Sequence, residues 1–297
     1  MNGNSQPEWQ GRTDGTPRMH RALIAACRIL PKWMPYSLMA LVSVGYIFSG
    51  ASQRRSIYRY FRRRHGNGRL KAAWNLYRDY VCFGMAVLDR FMLYAGKRFR
   101  IDLEGYGHYA ALNDSADGFM IFSSHCGNFE MAGYKLTSEG KKFHVVAYGG
   151  EAPNVIRNRQ RVLSRHNIRQ ILTSDDLSHL FEINNALAGG DIVSMAADRS
   201  LGSRKTLEVP VLDSLAALPA GPFKVAAARS VPVLAVFVNK TGYSRYKVKV
   251  LPISDGSLKA TELAHAYAGS LSDTARKYPC QWFNFYPFWN DDKDTGK

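Results

Sequence analysis

Phe119-Met-Ile-Phe-Ser-Ser-His-Cys-Gly-Asn-Phe-Glu-Met-Ala-Gly-Tyr-Lys-Leu136 is the stretch on which the reading of this chain turns. Its first five residues, Phe119 to Ser123, are strand-like, and Met131 to Leu136 reads as a helix, so His125 to Glu130 spans a strand-to-helix turn. Chemistry-bearing residues commonly sit on such connections. On one continuous helix, residues five apart would lie roughly 140° apart and could not meet. With His125 in the turn and Glu130 in the first helical turn, that obstacle disappears. A carboxylate there suits the positive helix end, and it can accept an imidazole N–H so that the other ring nitrogen is free as a base. Asn128 is placed to cap the helix, and Gly127 permits a tight turn or a close backbone approach of substrate. By spacing alone the pair is a weak signal, and a surface pair at a helix start is the favoured explanation.

Outward from this segment, short apolar runs recur: Phe143 to Tyr148, Asp191 to Ala197, Val231 to Val238 and Tyr246 to Leu251. Helical stretches at Asn154 to His166, Asp175 to Leu187 and Gly221 to Arg229 alternate with them, as an α/β layered domain requires. Before Gly96 the texture is helical, with apolar residues at helical spacing through Trp74 to Tyr94. The expected organisation is a disordered lead over 1–18, a basic helical region over 19–95, an α/β domain over 96–290 and a polar tail over 291–297. No internal repeat is present.

The chain has 297 residues and a formal charge of +16, which points to an acidic partner. Residues 21–100 hold sixteen Lys or Arg against Asp79 and Asp89 alone, a local net of +14, around the apolar run Leu38 to Phe48. That juxtaposition suits anionic lipid better than a nucleic-acid groove. The Arg54-Arg55 and Arg62-Arg63-Arg64 clusters strengthen it. The run is short of the roughly 20 apolar residues a spanning helix needs, so an interfacial segment and a single span both stay open. The basic flanks place the region on the cytoplasmic side. Cys27, Cys82, Cys126 and Cys280 form no C-x-x-C pair, so neither a zinc site nor a disulfide framework is indicated.

His125, four residues and Glu130, written with Gly127-Asn-Phe-Glu130, resembles the signature of the lysophospholipid acyltransferase superfamily, most closely its bacterial late lipid A (lauroyl/myristoyl) acyltransferase-like branch. Three further segments resemble that branch in order: Met195-Ala-Ala-Asp-Arg-Ser200 followed by Gly202-Ser-Arg204, the Gly221-Pro222 helix leading into Val231 to Phe237, and Tyr278-Pro-Cys-Gln-Trp-Phe-Asn-Phe-Tyr-Pro-Phe-Trp289. The Gln-Trp-Phe-Asn-Phe ending is shared with acyltransferase-like proteins associated with aryl polyene and flexirubin-type pigment lipids.

The resemblance implies an α/β fold with a mixed central sheet flanked by helices. It implies transfer of a fatty acyl group from a thioester, on acyl carrier protein or coenzyme A, to a hydroxyl or amine of a lipid-like acceptor at a bacterial inner membrane. No cofactor is implied beyond the acyl thioester co-substrate. His125 is then the base and Glu130 its orienting partner. Arg157, Arg159, Asp198, Arg199, Arg204, Gly221 and Pro222 join Gly127 and Asn128 as substrate-handling candidates. Asp198 is suited to orienting Arg199 or a loop, or to capping a helix, and Trp282 to packing or an acyl channel. Acyl carrier protein is acidic, so the basic third serves both carrier and membrane.

Two other readings stay open from the residues. One is a thioesterase or esterase with Cys126 or Ser124 as nucleophile, although Gly-x-Ser-x-Gly is absent. The other is a non-catalytic basic membrane-binding module. No nucleic-acid recognition motif accompanies the charge.

Overall fold

Phe119 to Phe122 offers water no polar side chain. In the computed structural model, which describes residues 16–147, 149, 168–173, 178–200 and 205–293, this run is buried within a sheet. It opens strand β2 (Phe119–Gly127), and the other sheet members are β1 (Arg100–Glu104), β3 (Phe143–Ala147), β4 (Ile168–Leu172), β5 (Ile192–Ala196), β8 (Val233–Gly242) and β9 (Arg245–Ser254). Their order is β1-β9-β8-β2-β5-β3-β4, parallel throughout except for the β8–β9 hairpin. A separate antiparallel ribbon joins β6 (Thr206–Val211) to β7 (Ser214–Pro219). Buried parallel strands read as continuous apolar runs because helices cover both faces, as in β2 and in Val233 to Val238 of β8.

Nine described α-helices accompany the sheet: α1 (Pro17–Ile29), α2 (Trp33–Ser49), α3 (Ala51–Arg59), α4 (Arg69–Tyr94), α5 (Tyr106–Asp114), α6 (Ser178–Ala188), α7 (Ala220–Arg229), α8 (Ala260–Lys277) and α9 (Asn290–Lys293). On one face Phe122 and Phe237 meet Phe223 of α7 and Tyr267 of α8 in a cluster of rings. On the other, Phe119 packs edge-on against Tyr109 of α5, beside Met131 and Tyr246. The result is an α/β fold with a mixed central sheet flanked by helices.

Several local expectations change. The helix read at Met131 to Leu136 is a 3-10 turn over Phe129–Tyr134; six residues with Gly133 inside them give an α-helix little support. The expected helix at Asn154 to His166 lies outside the described residues, as do the first residues of the one expected from Asp175. Helix α1 starts at Pro17, capped by Thr16, whose hydroxyl accepts from the Met19 amide at 3.3 Å. Near the other end, α9 seats Asp292 against Arg63 at 2.8 Å, and Asp291 pairs with Arg64. Arg63 and Arg64, expected at the membrane, therefore hold a segment expected to be a polar tail.

The basic helices are bolted to the sheet by Asp89 of α4, which is fully buried and accepts from Tyr36 of α2, Lys240 of β8 and Tyr246 of β9. Three donors on one buried carboxylate satisfy it. Asp79, a buried carboxyl ten residues earlier, is the opposite case: neither oxygen has a hydrogen bond among the described residues. Burial holds its pKa well above the ordinary range. The folded chain therefore keeps a proton that the unfolded chain gives up near pH 4. Between that pH and the folded pKa, stability falls as pH rises, by up to about 1.4 kcal/mol per unit. Asp79→Asn is expected to remove this slope in urea titrations across pH; an unchanged slope would mean that Asp79 is solvated or paired.

Candidate active site

β2 stays extended as far as Gly127, so His125 lies at the carboxyl end of a central strand, where open α/β sheets place ligands. Strand alternation then sorts the neighbours. Ser124 and Cys126 point inward, at 2% and 1% exposure, while the His125 side chain is 28% exposed. Burial pushes the Cys126 thiol up, away from thiolate. Neither inward-facing residue is poised as a nucleophile beside His125.

The parallel neighbour β5 delivers the partner. The amide of Ala197 donates to the Ser123 carbonyl at 3.0 Å, which carries Asp198 alongside His125. Nδ1 of His125 meets Oδ1 of Asp198 at 2.8 Å, and the His125 backbone N–H donates to Oδ2 at 2.9 Å. The indole N–H of Trp282 also donates to Oδ2, at 3.1 Å. Burial alone would raise the Asp198 pKa, but the His125 charge, the two hydrogen bonds from His125, and Arg199 reverse that and bring it to about 2. His125 is lowered by desolvation and then by Arg199, against the pull of Asp198. Both directions favour a neutral imidazole on an ionised carboxylate, and Nε2 carries no hydrogen bond among the described residues.

Glu130 is not the group on His125. Its carboxylate accepts from Tyr94 at 2.8 Å and lies 3.3 Å from Nε of Arg90, both on α4. The physical reason lies in the turn between them: Gly127 takes a φ of 57° and swings the chain away from the end of β2. The expected contact assumed that β2 ended before His125. Asn128 makes no side-chain cap either. Its side chain donates to the Ala86 carbonyl at 3.1 Å, and its amide donates to Val238 at 3.2 Å.

Arg199 is the neighbour of the pair that expectation placed nearby, and it donates to the Phe283 carbonyl at 2.5 Å. Arg157, Arg159 and Arg204 lie outside the described residues. Gly221 and Pro222 open α7, with Gly221 exposed and Pro222 buried, in the layer that packs Phe223 against Tyr267. Two roles were missed: Asp198 as the partner of His125, and Trp282 as a donor to it. A strand ending in Asp at Met195 to Asp198 was the only available signal for the first, and strand order cannot be read from it.

At the end of β2 lies an apolar cavity of about 300 Å³, bordered by Gly127 and Phe283, with neither His125 nor Asp198 in its lining, and walled by Tyr36, Cys82, Met85, Ala86 and Tyr243. Lys240 and Tyr246 of the Asp89 cluster also border it.

The family model for bacterial lipid A biosynthesis acyltransferase matches residues 80–291. Among curated proteins, none matches. Among solved structures, the crystal structure of the 1-acyl-sn-glycerophosphate (LPA) acyltransferase PlsC from Thermotoga maritima is similar at 13% identity, over 85% of this chain and 99% of that one, with a TM-score of 0.40. A match across most of the chain, taking in His125, Asp198 and Trp282, shows that the protein belongs to the bacterial lipid A biosynthesis acyltransferase family and is an acyltransferase of lipid biosynthesis.

Proposed function

We propose that this acyltransferase moves a fatty acyl group from a thioester, carried by acyl carrier protein or coenzyme A, to a hydroxyl or amine of a lipid at the membrane surface. The observation that carries the reading is His125, held through Nδ1 by buried Asp198 with Nε2 left open, two residues from Gly127 at the border of an apolar cavity. Nε2 takes the proton of the acceptor O–H or N–H as that atom attacks the thioester carbonyl. The tetrahedral intermediate then expels the thiolate, which recovers a proton, and the acyl chain ends on the acceptor. The walls of the cavity suit an acyl chain. Glu130, tied to Arg90 and Tyr94, braces the turn that carries His125 against α4.

A membrane surface is the setting that the helices favour. On α2, Trp33, Leu38, Leu41 and Phe48 are 60%, 61%, 70% and 79% exposed, and Ile29, Leu70 and Trp74 add to the apolar surface nearby. Exposed Arg18, Arg21, Arg28, Arg55, Arg69 and Lys71 accompany them. Large apolar side chains with basic companions match an anionic bilayer interface. No single described helix is long and apolar enough to span a bilayer; only the pair Trp33–Phe48 and Ala51–Arg64, bent by 102°, passes together. We therefore favour seating in the interface. Replacing Leu41 and Phe48 by Asp is expected to cut co-sedimentation with anionic vesicles at least about tenfold, through the lost apolar burial. Unchanged binding would remove these side chains from the docking face.

The test of the whole reading is a comparison of lipid extracts from cells with and without the protein. One lipid class is expected to gain an acyl chain, and its head group identifies the acceptor. Identical lipid profiles, with no thioester consumed by the purified protein on host membranes, would overturn the assignment.

A further inference from the structure

The last segment before α9 does more than fill space. Cys126 and Trp282 form an antiparallel bridge, and the Phe283 amide donates to the His125 carbonyl at 3.2 Å. Gln281 is tied to the backbone of Lys240 in both directions, at 2.8 and 2.9 Å. Residues 281 to 283 are thus laid across the ends of β8 and β2, and the indole of Trp282 reaches the carboxylate that holds His125. Around it the rings of Tyr60, Phe288 and Trp289 stand nearly edge-on, with centroids 6.0, 4.9 and 5.8 Å away, and Trp282 is 2% exposed.

We infer that Trp282 is a positioning residue, whose N–H fixes the rotation of the Asp198 carboxylate so that its other oxygen faces Nδ1 of His125. The inference rests on the reading of His125 as general base. Each oxygen of Asp198 has its own task. Oδ1 receives the ring N–H, while Oδ2 is held by two donors of different origin, the His125 backbone and the Trp282 indole. The backbone donor belongs to the residue being oriented and cannot by itself provide an independent reference point. Trp282 comes from a distant part of the chain and is locked by its ring contacts, so it can.

A buried indole must place its N–H somewhere, and a backbone carbonyl suffices for that. Trp289, in the same cluster, does so by donating to the Val211 carbonyl at 2.8 Å. Trp282 instead adds a donor to a fully buried anion, where hydrogen bonds to the charged form count for more. A ring needed for packing alone has no call on Asp198.

Trp282→Phe removes the donor and keeps most of the ring. In the purified full chain, thiol release from dodecanoyl-coenzyme A over host phospholipid vesicles is expected to show kcat falling about tenfold, with KM within about twofold. The His125 ring resonances, followed by NMR without substrate, are expected to titrate at higher pH. Asp198 with one donor fewer attracts the imidazolium proton more strongly. In an Asp198→Asn background the same substitution is expected to add no further loss. The inference is overturned if Trp282→Phe leaves the His125 titration unmoved, or lowers activity by the same factor in both backgrounds, since packing alone does that. Thermal unfolding of each variant confirms that folded protein is compared. A wild-type protein that releases no thiol counts against the acyl-transfer reading, while the titration still decides the role of Trp282.

Discussion

His125→Ala is expected to abolish acyl transfer, and Asp198→Asn to lower turnover about a thousandfold, whereas Glu130→Gln lowers it by less than about tenfold. The ranking follows from geometry. Asp198 accepts from Nδ1 and so leaves Nε2 with its lone pair. An amide at the same place can present its NH2 to Nδ1, which moves the ring proton to Nε2 and removes the base. Glu130 is tied to Arg90 and Tyr94 and not to His125, so its loss loosens the turn without altering the tautomer.

The pH dependence carries a sign. With His125 as the proposed base, which acts only when neutral, activity is expected above the His125 pKa and fades as pH falls through it. Desolvation and Arg199 lower that pKa. The acid limb of kcat/KM therefore lies below the ordinary imidazole range near 6.5. Thioester consumption on host membranes, with circular dichroism to confirm folding, checks all three variants. Glu130→Gln costing as much as Asp198→Asn would return the orienting role to Glu130.

Gly127→Ala carries the second large effect, on stability and activity together. A Cβ at Gly127 would lie 1.9 Å from the Val238 carbonyl oxygen, at a φ of 57° that L side chains rarely adopt. The same oxygen accepts the Asn128 amide, so the strands cannot part without losing that bond. Left-handed strain of about 1–2 kcal/mol and overpacking of about 1–3 kcal/mol combine to roughly 3 kcal/mol or more. Gly66 is the control, with a φ of 61° and nothing within 4 Å of its built Cβ. Gly66→Ala is expected to cost only the strain, about 1–2 kcal/mol. Urea unfolding of the two variants separates the contributions; equal costs would mean that β2 and β8 part more easily than their packing implies.

Much of the fold is legible in the sequence because buried parallel strands have nothing polar to interrupt them. Phe119 to Phe122 and Val233 to Val238 were read as strands for that reason. β1 was not, because Arg100-Ile-Asp-Leu-Glu104 sits at an edge, where charges on the exposed side discourage further pairing and hide the apolar signal. β4, Ile168-Arg-Gln-Ile-Leu172, escaped at the other edge for the same reason. His125 was legible from its motif. Its partner was not, because which carboxylate reaches a residue at a strand end depends on which strand lies next to it. β5 borders β2, though more than sixty residues separate them in sequence. Glu130, near in sequence, was the natural choice and belongs to α4 instead. The Trp282 donor was hidden further, since an aromatic-rich segment reads as packing until its one polar hydrogen is placed.

That last contact has a bearing on synthesis. The ribosome makes the exposed face of α2 first, His125 and Asp198 later, and Trp282 among the last residues described. A nascent chain therefore presents that apolar face before its Asp198 carboxylate has the Trp282 donor. The contact joins residues 84 positions apart, so it closes only once residue 282 has left the ribosome, in line with the late closure of non-local contacts. The apolar face is thus complete before the surroundings of Asp198 are, and a product stalled between the two would carry the first without the second.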